Sequence, residues 1–331
     1  MLKFSLTLLI SIILISCGKN TDEKTADAIL SANISLSKGD CSSAINILEA
    51  NGRVNDNATY LKTLSSAYAC RAGFSTLTLF TTDLSKIVSL AATGPLNGLA
   101  TFTTSPVGTL YPLQNESTFM DMQTAINILL YAGGISSNTN PSAAERAKYF
   151  SSADAGDINA QLLYLMLAQL GKFMYVYGDS NAAGVKGGGT ASNRCFTSYG
   201  NTSAAIKAAI SASSGTCNSV NSSHAQLIAG VDTATSSTRK TRLCHGVVLL
   251  NGVLEILPNV VASLFTNTAD AAAVNTAISD FNNAKDTLAA LDSSIGIVLT
   301  TVSQNYCEDN TTVPLKDIES YYAGIFESVF K

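Results

Sequence analysis

Apolar residues recur at helical spacing along most of this chain, while sustained apolar/polar alternation is absent. That pattern favours helices over strands. Ile29, Leu30, Ile34 and Leu36 outline a first helix from about residue 25 that stops at Lys38-Gly39. Asp40 can cap a second helix carrying Ala44, Ile45, Leu48 and Glu49, closed by Asn51-Gly52. A third, Ala58 to Arg71, carries Tyr60, Leu61, Leu64, Ala67 and Tyr68 and ends at Gly73.

Further along, Asp83 to Ala92 reads as a short amphipathic helix, and residues 93–115, with Pro95, Pro106 and Pro112, as an irregular connection. Thr118 to Tyr131 is a helix ended by Gly133-Gly134, and Pro141 opens another with proline at the first helical position. Asp157 can cap a long helix that is apolar nearly all round, through Leu163, Leu167, Leu170 and Val176, as a central core helix would be. Residues 179–237 form a Gly/Ser/Thr/Asn-rich insert with a helix at Ala204 to Ser211 and a second near His224. An apolar helix follows from Thr241, interrupted or kinked at Pro258. A clean amphipathic helix begins at Asp270, and a last helix opens at Pro314. The expected fold is all-α: a helical array or bundle with parts at 25–178 and 238–331, either side of the insert.

Gly39 and Gly73 lie 34 residues apart, and Leu30 and Ile34 align with Leu64 and Tyr68 at the same offset. Together with the run from Lys38 to Glu49, this resembles the tetratricopeptide repeat over residues 25 to about 80. The aromatic usual at the Cys41 position and the closing proline are missing. The resemblance implies that the second and third helices run antiparallel, which places Cys41 beside Cys70 and allows a disulfide between them. It also implies a concave partner-binding face on Ile29, Leu36, Leu64 and Tyr68.

Before the first helix, Met1-Leu2-Lys3 leads into an apolar run from Phe4 to Ile15, too short to span a bilayer. Ser16-Cys17 follows, and Leu14-Ile15-Ser16-Cys17 resembles the lipobox of bacterial lipoproteins. The resemblance implies a signal peptide over 1–16, an acylated Cys17 as mature N-terminus and a lipidated tether over 17–24. Gly18, not being aspartate, implies the outer membrane by the sorting rule of enteric lipoproteins. Two or more acyl chains anchor a protein far more firmly than one. No stretch after Cys17 is expected to cross a membrane.

The chain has 331 residues, of which 13% are charged, and its net charge of −4 becomes −5 without Lys3. A mild, dispersed acidity argues against a nucleic-acid partner. With Cys17 acylated, Cys41, Cys70, Cys195, Cys217, Cys244 and Cys307 remain, and an even number in an exported chain favours disulfides. Sequence order pairs Cys41 with Cys70, Cys195 with Cys217, and Cys244 with Cys307. Only the first pairing has a structural argument behind it.

Catalytic signals are weak. Gly184 to Thr190 places Lys186 too early for a phosphate loop and reads as a flexible surface loop. His245, next to Cys244, lacks a second Cys/His pair at zinc spacing and reads as a packed or surface histidine. Ser35 with Lys38, and Ser237 with Lys240, match the shortest part of a penicillin-binding signature without its companions. Glu145 with Asp154 and Asp317 with Glu319 read as solvated helix faces and caps, and Tyr164, Tyr175 and Tyr177 as semi-buried packing. Tyr321 and Tyr322 can line a ligand, since adjacent rings cannot both bury on one helical stripe.

The expectation is therefore a membrane-anchored envelope lipoprotein acting as a protein- or peptide-binding scaffold, with no cofactor or metal and no enzymatic activity. The alternative is a small-molecule-binding component that serves a transporter, marked by a cavity between helices 157–178 and 241–267. Mass spectrometry of the purified mature protein should find Cys17 as an acylated N-terminus. An unmodified sulfur or an intact leader would remove both the anchor and the argument for oxidised thiols.

Overall fold

The computed structural model describes residues 20–88, 95–106, 113–178, 180–186, 195–197, 199, 202–206, 208, 227, 237–264, 268–309 and 311–327. Residues 1–19, which include Cys17, and also Cys217 and His224 lie outside these residues. Among those described the fold is all-helical. Helix α1, Thr21–Ser37, starts earlier than expected, so residues 21–24, expected to belong to a tether, are already helical. The reason is a capping box: Asn20 accepts from the Glu23 amide, and the Glu23 carboxylate accepts from the Asn20 amide.

Helices α2, Cys41–Ala50, and α3, Ala58–Arg71, fall where the sequence places them. Asp40 and Asn57 cap them, accepting from the Ser43 and Tyr60 amides. Gly39 adopts φ +74°, a left-handed conformation that glycine takes without a Cβ penalty. The two helices pack through Ala44, Ile45, Leu48, Tyr60 and Leu64, and the Tyr60 hydroxyl donates to the Leu48 carbonyl at 2.9 Å. The Cys41–Cys70 disulfide joins the start of α2 to the end of α3, with Cα atoms 5.7 Å apart.

Helix α4, Ser117–Leu130, packs on α3 and on the long helix α5, Ser152–Tyr177. Ser151, not Asp157, caps α5, accepting from the Asp154 amide. Pro141 lies outside its short helix, Ala143–Arg146, which Ser142 caps. Residues 79–83 form a π-helical turn before Leu84–Val88, so the helix expected from Asp83 begins within a longer helical stretch.

Helix α6, Ser237–Leu264, continues through Pro258 without a break in the assignment. By length and composition Ser237–Val261 could cross a membrane, contrary to expectation, but 78% of its most apolar window is buried inside the protein. It is a core helix. A side chain at Gly246 would collide with the Phe173 ring and the Tyr322 hydroxyl, so the glycine permits close approach of α5 and of the C-terminal segment. The Cys244–Cys307 disulfide ties α6 to a short helix, Gln304–Glu308. Cys195 is also disulfide-bonded, while its expected partner Cys217 lies outside the described residues.

Helix α7, Thr268–Leu291, buries Val274, Ile278, Phe281 and Leu288. The chain closes with α8, Leu315–Tyr321, running into a π-helical turn over Tyr322–Phe326. This segment contacts α6 and α7, and from Asp317 onward it is buried on nearly every side. Tyr321 and Tyr322 are therefore both buried, contrary to expectation: their hydroxyls donate to Asn251 and to the Leu243 carbonyl. The limit to one stripe holds only for a helix with a solvent face.

Glu319 likewise is fully buried rather than solvated, and it pairs with Arg239 at 2.7 Å. Glu327 pairs with Lys186 and also accepts from the Phe196 amide and the Tyr199 hydroxyl. Lys186 is thus buried, not part of a surface loop. Residues 187–190 of that glycine run lie outside the described residues.

In urea unfolding, Glu319→Ala should cost about 3–5 kcal/mol, because it removes the carboxylate that faces the buried Arg239 guanidinium. Lys62 and Asp157 meet at the same 2.7 Å but lie at the surface, with 23% and 66% of their side chains exposed. Lys62→Ala should cost under about 1 kcal/mol in the same urea unfolding experiment. Equal losses would show that burial does not set the value of these pairs.

Candidate functional site

A cavity of about 320 Å³ opens where the 140–142 loop, α6, α7 and the 299–302 loop meet. Two asparagines hold its walls. Asn140 accepts from the Val302 amide at 2.7 Å and donates to the Thr300 carbonyl at 3.0 Å, clipping the two loops together. Asn251, inside α6, donates to the Val298 and Thr301 carbonyls at 2.9 Å and accepts from Tyr321 at 2.8 Å. The site is therefore braced directly against the buried C-terminal segment.

Two charged side chains line the cavity. Glu255 reaches from α6 to the start of the Ala143–Arg146 helix, where its Oε1 accepts from the Ala143 amide at 2.5 Å. That is where a carboxylate satisfies an otherwise unpaired helix N–H. Glu255 Oε2 is turned inward, 3.9 Å from Arg146 Nη2. Arg146 is fully buried, and its Nε donates to Asn159 at 2.8 Å. Burial lowers the Arg146 pKa, an effect that Glu255 and Glu145 oppose.

Lys285 projects from α7, and its Nζ donates to the Leu299 carbonyl at 2.9 Å. Burial pushes its pKa down to about 8, so the amine remains mostly protonated at pH 7. It does not pair with Glu255 across the cavity. Leu254, Leu299 and Val302 supply apolar wall, and Asn282 stands at an exposed edge. The arrangement can hold a small ligand by its apolar body and orient it through a few polar groups.

Sequence reasoning placed the cavity elsewhere. Between α5 and α6 lies an apolar void of only about 40 Å³, lined by Leu167, Leu170, Leu250 and Val253 and closed by α7. Nor did it single out Asn140, Asn251, Glu255 or Lys285, which are scattered over 145 positions. A signal existed: Glu255 is the lone acid within the apolar run of α6, and Lys285 the lone base on α7.

The residues proposed for a partner face are not brought to an open surface. Leu64 is 3% exposed, and Ile29, Leu36 and Tyr68 are half-buried against the core. On α1 the exposed apolar residues are Leu30 and Ile34, at 62% and 48%. Glu145 and Asp154 each lie in the first turn of a separate helix. Asp317 is buried and accepts from Ser294, and burial raises its pKa. Tyr177 is fully buried, whereas Tyr164 and Tyr175 are half-buried. Lys240 donates to the Val313 carbonyl rather than completing a serine–lysine dyad with Ser237.

His245 is buried and packs edge-on against Phe119, 5.4 Å between ring centres. Burial lowers its pKa to about 4, a hydrogen bond to the Thr241 backbone opposing this in part. The folded protein therefore holds this ring neutral where the unfolded chain would protonate it. Its contribution to stability is complete above pH 6.5 and is lost as pH falls towards 4, by about 3 kcal/mol. Subtracting the pH–stability curve of His245→Phe from that of the wild type should expose this limb. A flat difference between pH 4 and 6.5 would show that the imidazole protonates without cost in the fold.

Comparison with protein-family models, with curated proteins and with solved structures finds no match to this chain.

Proposed function

We propose that this chain is a lipoprotein of the bacterial envelope, tethered through acyl chains on Cys17, that binds a small molecule in the cavity between α6 and α7. The observation that carries the binding reading is the cavity: about 320 Å³, with a mixed apolar and charged lining. That volume is at the lower end of the range for ligand pockets, about 300–1,000 Å³. The lipobox residues support the tether, and the Cys41–Cys70 and Cys244–Cys307 disulfides support an oxidising compartment outside the cytosol. A binding component that hands its ligand to a transporter fits this address, and we assign no reaction to it.

A second reading, a protein- or peptide-binding scaffold, has one observation in its favour. Leu30 and Ile34 stand exposed one helical turn apart on α1. They are two isolated side chains, whereas the cavity assembles groups from four segments.

The test is a thermal-shift screen of small polar and amphiphilic metabolites against Cys17→Ser full-length protein, a variant that should move from the membrane to the soluble fraction. At a concentration about 100 times its Kd, a ligand adds about 2.7 kcal/mol of stability. The expected hit raises Tm by several degrees in the parent and not in a Leu254→Phe variant with a narrowed cavity. A shift that persists in Leu254→Phe would place binding elsewhere. No shift from any compound would remove the binding reading.

A further inference from the structure

Several buried cations among the described residues are met by carboxylates, although Lys240 and Arg242 also donate to the Val313 and Leu227 carbonyls. Arg239 faces Glu319 at 2.7 Å, Lys172 faces Glu116 at 3.2 Å, Lys186 faces Glu327, and Arg146 has Glu255 within 3.9 Å. Lys285 is half-buried in the cavity wall. It pairs with no acidic side chain, its one hydrogen bond goes to the Leu299 carbonyl, and two of its three N–H groups are unused. Its pKa is lowered by burial alone, with no acidic neighbour opposing the shift. The groups around it account for this. The 140–142 and 299–302 loops contribute no ionisable side chain to the cavity, Glu255 on α6 is turned towards Arg146, and Asp286 on α7 itself is exposed. A half-buried charge without a counter-ion is less well compensated than one in water, and here it faces the cavity.

We propose that this space takes the missing counter-ion, and that the ligand is a small monocarboxylate with an aliphatic body, its carboxylate on Lys285 Nζ and its chain against Leu254, Leu299 and Val302. The inference rests on the reading of the cavity as a binding site and names the ligand class. A single ammonium matches a single negative charge, and the nearby Glu255 disfavours a second one on the ligand. Phosphate and dicarboxylates are therefore poor fits. The apolar wall disfavours small hydrated anions that lack a hydrocarbon portion.

The experiment compares isovalerate with its neutral amide, isovaleramide, and with succinate and inorganic phosphate, by calorimetry and thermal shift on the full-length protein. Isovalerate should bind saturably at pH 7, and the other three at least ten-fold more weakly. Binding should weaken as pH rises through about 8, where the Lys285 amine loses its proton. Lys285→Met should abolish isovalerate binding while keeping or raising the Tm of the free protein, because it removes a half-buried charge that has no counter-ion. If Lys285 serves only to hold the Leu299 loop, Lys285→Met will lower Tm, and isovalerate will leave the parent unchanged. Isovaleramide binding as well as isovalerate, with Lys285→Met unaffected, would overturn the carboxylate assignment and leave the cavity reading intact. Failure of all four compounds would overturn the inference, and the metabolite screen above would then decide the cavity reading separately.

Discussion

A carboxylate withdrawn from water costs several kcal/mol unless a cation meets it, and the C-terminal segment of this protein buries two, Glu319 and Glu327. Eight residues apart, they lie on either side of the change from α-helix to π-helix at Tyr322. Each finds its cation on a different part of the chain, Arg239 at the start of α6 and Lys186 within the glycine-containing run from Gly184. A shifted seating of this segment would leave one or both charges unopposed. The hydroxyls of Tyr321 and Tyr322 add a second restriction, since each needs its own acceptor on α6. Apolar packing draws the last helix inward, and these four polar contacts select its register.

The cavity inherits that restriction. Asn251 accepts from Tyr321 on one side and holds the Val298 and Thr301 carbonyls on the other. Through this one side chain the seating of α8 fixes the backbone that bears Leu299 and Thr300. Asn140 carries the same constraint across to the loop that ends in Ser142, next to the helix whose first amide Glu255 accepts. The walls are thus held by buried side chains rather than by loop packing alone, and this preorganises a binding site.

What could be read from the sequence was local. Gly39, Asp40, Asn51-Gly52 and Gly73 punctuate α1 to α3 through caps and left-handed turns, which depend only on neighbouring residues. The resemblance to a helical repeat implied the antiparallel packing of α2 and α3, and the Cys41–Cys70 disulfide joins them as that implied. The cap of α5 was misplaced because Ser151 and Asp157 both suit an N-cap and periodicity cannot choose between them. Tyr321, Tyr322, Glu319 and Lys186 were misjudged for a different reason. Their burial depends on segments up to 141 residues away, as for Lys186 and Glu327, and no local pattern shows that a helix is enclosed on every side. The cavity was out of reach for the same reason, its walls coming from four separate stretches of chain.

The contrast between Lys186 and Lys285 bears on how function sits in such a fold. Lys186 is buried, meets a carboxylate and lies over the Phe196 ring at 4.3 Å, so that its charge is absorbed by the structure, whereas Lys285 is half-buried. Lys285 meets a carbonyl and a cavity, and burial without compensation lowers its pKa. A core optimised only for stability would replace Lys285 with an apolar residue, since α7 is otherwise anchored by Val274, Ile278, Phe281 and Leu288. Local departures from the stability optimum gather at sites that must interact with something outside the chain. Here the departure is one positive charge wide, and it lies in the wall of the cavity of about 320 Å³ between α6 and α7.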